Sequence, residues 1–198
     1  MSFNVLVICE DHRRDALIAK PLVERLLDEA GRPRSKVEVC RNPHLAGSGD
    51  CLKADRLEQV LRSHPMVHLF LLLVDRDGDS KRRETLDTFE TLFTTRLTAG
   101  RWFLGEAAWQ ELEIFVLAGH PTCASWSWKA MREEVHLKET YFAQLVKEQG
   151  YDAGRFPHEG RKPLMQAALS NWKSIMSRCP EDLGALLERL STSPIPAQ

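Results

Sequence analysis

The chain has 198 residues, of which 43% are hydrophobic and 28% are charged, and its formal net charge is −1. These values are ordinary for a globular protein with one sizeable core. The balanced charge excludes a global basic field, so nucleic acid would have to be bound through local patches or a metal. The five cysteines form no CxxC pair, which argues against a disulfide framework and against a zinc ribbon.

Strands and helices are predicted to alternate over residues 3–118. In chain order, the hydrophobic spacing predicts a strand at 3–9, a helix at 12–30, a strand at 37–40, a helix at 52–63, a strand at 67–74, a helix at 80–98, a strand at 101–104 and a helix at 106–117. Pro21 either kinks the first helix or starts a second one, and Ser80 is a candidate cap for a later helix. This alternation is typical of a Rossmann-like α/β core with a mostly parallel sheet.

The last part of the sequence is predicted to be wholly helical, with helices at 127–149, 163–177 and 181–190. We therefore expect an α/β core over 1–120, a helical extension packed on it over 121–190, and a disordered tail at 191–198. No apolar run approaches the ~20 residues that cross a bilayer, and the N-terminus lacks the charged and long apolar regions of a signal peptide. We expect a cytoplasmic protein that does not bind a membrane.

The most informative segment is Asp75-Arg76-Asp77-Gly78-Asp79, which directly follows the most hydrophobic run of the chain, residues 67–74. A continuous apolar run that ends in a turn signal indicates a buried strand of a parallel sheet. Ligands of such sheets bind beyond the carboxyl ends of the strands. Glu10 follows the first predicted strand and would face Asp75 and Asp77 there. Neighbouring carboxylates do not readily stay ionised together without a cation, and Asp oxygens suit hard ions such as Mg²⁺.

Five interpretations of the segment 75–79 compete. An EF-hand is excluded, because its sixth position should be Gly and its twelfth Glu, whereas Gly78 is fourth and Leu86 is twelfth. A phospho-accepting receiver domain fits Glu10 and Asp75 loosely, but no later strand supplies its Lys. A haloacid-dehalogenase-type phosphatase carries its DxD after the first strand, which here ends in Glu10. A turn with helix-capping carboxylates explains the DxD alone, whereas Glu10 and the DxD together favour a metal site of the Toprim type.

The sequence resembles a Toprim fold in two segments, residues 7–10 (VICE) and 72–79 (LLVDRDGD). More narrowly, it resembles the small stand-alone Toprim-like proteins related to the nuclease half of the overcoming-lysogenization-defect (OLD) proteins. Residues 109–118 resemble the acidic helix that follows the core strands in those proteins. Residues 167–171 and 177–183 resemble their C-terminal helical ending.

This resemblance implies metal-dependent phosphoryl transfer on nucleic acid, with DNA favoured over RNA and with Mg²⁺ or Mn²⁺ as cofactor. It makes Glu10, Asp75 and Asp77 the catalytic core, in which the Glu also moves protons. The metal ligands that it implies are Glu10, Asp75, Asp77, Asp79 and Glu113, with Glu111 as a further candidate. Two metals about 4 Å apart would stabilise both the attacking and the leaving oxygens of a phosphodiester.

Two basic residues are candidates for substrate binding. Arg76 lies between two of the acids, where it either contacts a phosphate or points away from the site. Lys162 follows Gly160 and Arg161 in a polar loop before a predicted helix, where it could offset charge at a scissile phosphate.

Two functional hypotheses follow. The first is a Toprim nuclease that cleaves DNA and works with a separate ABC- or AAA-type ATPase in anti-phage or plasmid defence, because the chain has no G-x-x-x-x-G-K-[ST] motif of its own. A topoisomerase is disfavoured, since Tyr141 and Tyr151 lie in the helical tail, and a primase is disfavoured because it needs a zinc module. The second hypothesis is a non-catalytic, Toprim-shaped regulatory or interaction subunit of an ATPase complex, which the short length and the lack of a basic face favour.

Overall fold

A four-stranded parallel sheet forms the centre of the protein in a computed structural model that describes residues 3–45, 47–151 and 157–192. Its strands are β1 (Asn4–Ile8), β2 (Lys36–Val39), β3 (Leu69–Asp75) and β4 (Trp102–Ala108). Their order across the sheet is β2-β1-β3-β4, and each neighbouring pair is parallel. The predicted α/β class with a parallel sheet is confirmed.

Helices account for most of the remaining described residues. They are α1 (Ala16–Glu29), α2 (Ser48–Cys51), α3 (Ala54–Ser63), α4 (Arg82–Thr94), α5 (Glu113–Gly119), α6 (Trp128–Glu133), α7 (Ala143–Glu148), α8 (Arg161–Leu169), α9 (Trp172–Arg178) and α10 (Ala185–Thr192). Short helical turns lie at Pro121–Ser125, Lys138–Phe142 and Pro180–Gly184, and Pro157–Gly160 forms a turn with left-handed backbone at His158 and Glu159. Within the described ranges, no helix is long and apolar enough to cross a membrane.

Both faces of the sheet are covered, because alternate residues of a strand point to opposite sides. Odd-numbered residues of β1 and β3, such as Val7 and Leu71, pack with α1, α5 and the C-terminal helices. Even-numbered residues, such as Ile8 and Leu72, pack with α3 and α4. A strand that is buried on both faces needs apolar residues throughout, which explains the continuous hydrophobic run that precedes Asp75.

The strand order creates a crevice between β1 and β3. The chain leaves β1 through α1 toward β2 at one edge, then returns through α3 to β3 on the other side of β1. Ile8 at the end of β1 pairs with Leu72, whereas β3 continues to Asp75, which pairs with Ala108. Neighbouring strands whose connections leave in opposite directions form the switch point at which open α/β sheets bind ligands.

The predicted boundary between the fourth strand and the following helix is wrong. The strand continues to Ala108, and α5 begins only at Glu113, so Glu106 lies in a strand rather than in a helix. β4 pairs with β3 along its whole length, which favours strand over helix for these residues. The buried Glu106 carboxylate is bonded by Arg83 and Arg189, and these bonds offset its loss of water.

Other element boundaries also differ from those predicted. Pro21 lies inside a single helix, α1, and no side chain caps α4 within the described part of the chain, so Ser80 is not its cap. The predicted loop at 44–50 contains the start of α2. The helix predicted over 127–149 is divided into α6, a helical turn and α7, and the helix predicted over 163–177 is divided into α8 and α9.

The C-terminal helices share one hydrophobic core with the sheet. Leu71 of β3, Ile114 of α5 and Leu164 of α8 belong to the same buried cluster. The division into a core over 1–120 and an extension over 121–190 stays a prediction. Of the predicted disordered tail, residues 191 and 192 are the end of α10, and residues 193–198 lie outside the described part.

Candidate functional site

Glu10 and Asp75 meet at the crevice between β1 and β3. The backbone N–H of Asp75 donates a hydrogen bond to Glu10 Oε1 at 3.3 Å. Asp75 Oδ1 in turn accepts the N–H of Leu112 at 2.8 Å, from the segment that connects β4 to α5. The two acids predicted from separate strand ends therefore lie side by side, and a third segment of backbone orients one of them.

Asp75, Asp77 and Glu111 form a compact set of carboxylates, the three-acid group. One oxygen of each lies within 4.8 Å of the others. Glu111 is buried, Asp75 is half-buried and Asp77 is exposed, so the group reaches from the interior to the surface. Because all of its donors are carboxylate oxygens, the set fits a hard divalent ion such as Mg²⁺ or Mn²⁺ better than a soft metal.

Gln110 joins the loop after β3 to the loop after β4. Its carbonyl oxygen accepts the N–H groups of Arg76 and Asp77 at 2.8 and 3.0 Å, and its side-chain Oε1 accepts the N–H of Gly78 at 3.0 Å. Asp77, Gly78 and Gln110 all have left-handed backbones, with φ of 51°, 70° and 67°. Asp and Gln adopt this conformation at a cost, so the hydrogen bonds to Gln110 stabilise the turn that places Asp77 near Glu111.

Burial raises the pKa of the acids in and around this site. It raises the pKa of Asp75 well above its usual value, and the nearby charges of Glu113, Glu10 and Asp15 raise that pKa further. Burial also raises the pKa of Glu10, and it raises the pKa of Glu111 to about 7 and that of Asp15 to about 6. Burial thus favours the protonated form of these carboxyls, and a cation that balances their charge favours the ionised form.

Asp15 belongs to this cluster although sequence reasoning missed it. It precedes α1, and its Oδ2 accepts the N–H of Asp11 at 2.7 Å. The charges of Glu113 and Asp11 act on Asp15, and the charge of Asp15 acts on Asp75. In the sequence, an Asp just before a helix indicates an ordinary helix cap, so no local signal distinguished it.

Glu113 is held by a buried cation. Arg161 Nη2 donates to Glu113 Oε1 at 2.7 Å, and the two side chains are 1% and 4% exposed. Arg161 also pairs with Glu159, and its guanidinium lies 5.0 Å from the ring centre of Phe142. Glu113, a predicted metal ligand, therefore lies outside the three-acid group and already has a partner. Its role as a ligand stays a prediction.

The remaining predicted site residues lie around the edge of the cluster. Asp79 Oδ1 accepts the N–H of Lys81 at 2.9 Å, and Asp79 also lies outside the three-acid group. The guanidinium of Arg76 lies 4.1 Å from the ring centre of Trp109. Lys162 is exposed in the first turn of α8. The predicted contacts of Arg76 and Lys162 with substrate stay predictions.

The shifted acids predict how stability depends on pH. Glu111 titrates near 4.5 when unfolded and near 7 when folded, so over this window the folded state holds a proton that the unfolded state has lost. The contribution of Glu111 to stability is thus present at low pH and is lost as pH rises toward 7. In urea unfolding with EDTA, we expect Glu111→Gln to gain stability relative to the wild type between pH 5 and pH 8. A difference between the two proteins that stays constant over this range would contradict the assignment.

Comparisons with protein-family models, with curated proteins and with solved structures give no match for this chain. The resemblance to Toprim proteins therefore stays a prediction from residues 7–10 and 72–79. The site itself presents carboxylates at a switch point, three of them close enough to share a cation, and the buried Arg161 beside Glu113.

Proposed function

We propose that the protein is a divalent-metal-dependent nuclease of the Toprim type that hydrolyses phosphodiesters of DNA. One observation carries the proposal: Glu10 and Asp75 touch at the switch point between β1 and β3, and Asp75 lies within 4.8 Å of acid oxygens from Asp77 and Glu111. A set of carboxylates at this position of an α/β sheet suits a metal-assisted reaction at phosphate.

Some of these residues are suited to holding a cation, and one is suited to accepting a proton. Asp75, Asp77 and Glu111 would hold one Mg²⁺ or Mn²⁺. When bound, that ion supplies Lewis-acid stabilisation of a phosphoryl oxygen and lowers the pKa of a water. Glu10, whose pKa is raised by burial, is suited to accept the proton of the attacking water. The N–H of Leu112 keeps Asp75 oriented.

The biological setting is part of the same proposal. The resemblance to the nuclease half of OLD proteins supports DNA as substrate, and the chain lacks a G-x-x-x-x-G-K-[ST] motif. We therefore propose that a separate ABC- or AAA-type ATPase works with it in anti-phage or plasmid defence, in the cytoplasm.

Cleavage of supercoiled plasmid tests the proposal directly. Purified protein is incubated with plasmid and Mg²⁺, Mn²⁺ or EDTA. Asp28→Asn controls for the loss of one carboxylate outside the site, because Asp28 is exposed near the far end of α1. We expect metal-dependent nicking by both proteins and none with EDTA. Cleavage that persists with EDTA would overturn the nuclease assignment, and so would the absence of cleavage with every metal, even after addition of an ATPase that co-purifies with the protein.

A non-catalytic role is the second candidate, and the Arg161–Glu113 pair favours it. Glu113, which a second catalytic metal would need as a ligand, is already paired with Arg161. In this case the acids would bind a structural metal or a nucleotide within an ATPase complex. A Glu10→Gln/Asp75→Asn double variant that keeps full activity of the defence complex would support this role, and a variant that loses it together with DNA cleavage would reject it.

A further inference from the structure

Arg82 is a buried arginine to which the described residues offer no hydrogen-bond acceptor. It is the first residue of α4, and its side chain is only 10% exposed. Among the described residues, nothing accepts a hydrogen bond from its guanidinium, and its Nε is fully enclosed. Arg161, whose side chain is 1% exposed and whose Nε is likewise unpaired among the described residues, instead donates from its Nη atoms to Glu113 and Glu159. The Nε–H of Arg82 is thus a buried donor without an acceptor, and such donors are uncommon in folded proteins.

The guanidinium lies at the edge of the three-acid group. Its Nη2 is 3.8 Å from Asp77 Oδ2, and its Nε is 3.9 Å from Asp79 Oδ2. Both distances exceed the range of about 2.7–3.2 Å in which N–H groups bond to oxygen. Both aspartates are solvent-exposed, at 48% and 43%. The positive charge of Arg82 also acts on Glu10, where it lowers the carboxyl pKa against the dominant effect of burial.

Neutralising the acids alone does not account for this arrangement. A guanidinium that served only to pair with Asp77 or Asp79 would be expected at hydrogen-bonding distance from one of these carboxylates. Arg82 instead lies near both carboxylates but too far from them to form hydrogen bonds. An oxygen anion that carries two acceptor atoms would satisfy a planar fork of this kind.

The beginning of α4 favours an anion at the same place. The helix spans Arg82–Thr94, and its N-cap residue, Lys81, makes no side-chain cap hydrogen bond, although Asp79 Oδ1 accepts the N–H of Lys81. The N-terminus of a helix carries a partial positive charge and outward N–H groups, so it attracts phosphate. Arg82 adds a full charge at this position.

We propose that Arg82 binds a phosphoryl oxygen of the substrate beside the cation held by Asp75, Asp77 and Glu111. The ligand class is a phosphate ester, and the assignment rests on the proposed function. A cation on the three-acid group would engage Asp77, and the guanidinium of Arg82 would then donate to the phosphate. Arg82 thereby positions the phosphate against the acids and offsets its charge.

Titration of inorganic phosphate tests this role. Calorimetry measures phosphate binding to protein loaded with Mg²⁺, and to protein in EDTA, for the wild type, Arg82→Met and Arg82→Lys. Lys81→Met is the matched control, because it removes one positive charge from the exposed neighbour of Arg82. Mg²⁺ binding is measured separately for each protein, and circular dichroism confirms that each is folded.

Arg82→Met is expected to weaken phosphate binding at least tenfold while binding Mg²⁺ as tightly as the wild type or more tightly, since a cation has been removed near the acids. Arg82→Lys keeps the charge without the fork, so it should show a smaller loss, and Lys81→Met should stay within twofold of the wild type. Unchanged phosphate binding by Arg82→Met, or by Arg82→Lys if the former does not fold, would overturn the proposal. If the wild type binds no Mg²⁺, the nuclease assignment fails, and the EDTA titrations still decide whether Arg82 binds phosphate.

Discussion

Asp77→Asn is expected to reduce metal-dependent DNA cleavage by at least about a hundredfold, which corresponds to the several kcal/mol that a catalytic metal supplies. Asp77 contributes one of the three oxygens that lie within 4.8 Å of one another. Its side chain is 48% exposed, and its φ of 51° is a conformation that Asn adopts readily, so the fold should be retained. Initial rates of plasmid nicking measure the first effect, and urea unfolding checks the second.

Asp79→Asn is the matched control for this prediction. Asp79 belongs to the same loop, is similarly exposed and also lies near Arg82, but it is outside the three-acid group. Its loss should therefore lower the cleavage rate much less than the loss of Asp77. Equal losses in the two variants would show that the loop's overall charge matters rather than a metal held by Asp77.

Arg161→Met is expected to lower the free energy of unfolding by about 3–5 kcal/mol, the usual cost of leaving one member of a buried ion pair without its partner. The arginine is 1% exposed and holds Glu113, which is 4% exposed, at 2.7 Å. Met retains a long unbranched side chain, so the variant removes the charge with little loss of packing. Urea unfolding at neutral pH measures the change.

The double variant Arg161→Met/Glu113→Gln separates the ion pair from packing. Removing both charges eliminates the unpaired carboxylate, so this protein should recover more than half of the stability lost in the single variant. A single variant as stable as the wild type would contradict the structural role of Arg161. Recovery of the single variant by added Mg²⁺ would instead show that a cation can take the place of Arg161 on Glu113.

The centre of the fold was predictable because its signals are local. A continuous apolar run before Asp75 indicates a strand that is covered on both faces, and the structure confirms it. Carboxyl ends of parallel strands lie at one edge of a sheet, so the meeting of Glu10 and Asp75 could be expected from their positions after two strands.

The end of β4 was not predictable from its residues. Gly105, Glu106 and Ala107 are all poor strand formers, and the sequence pattern favours a helix there. Pairing with β3 and two arginines, one of them more than 80 residues away on α10, stabilise the strand instead. Tertiary contacts of this kind cannot be recognised from the local hydrophobic pattern of the sequence.

The supporting residues of the site were missed for the same reason. Gln110 supports the site by hydrogen bonds between two loops. In the sequence, Asp15 looks like a helix cap, and only the folded structure brings it near Glu113. Arg82 lies within a run of basic residues that suggests a solvated surface, yet it is buried. Each depends on how separate elements pack, which sequence spacing does not encode.

Titration of Mn²⁺ into EDTA-treated protein tests the central claim most directly, because it requires neither the substrate nor a partner. Calorimetry compares the wild type with Asp75→Asn, whose folding is checked by circular dichroism, and with Asp28→Asn as control. We predict that the wild type and Asp28→Asn bind Mn²⁺ and that Asp75→Asn, although folded, loses this binding. Absence of Mn²⁺ binding in the wild type, or equal binding in Asp75→Asn, would show that the acids at the ends of β1 and β3 do not form a metal site.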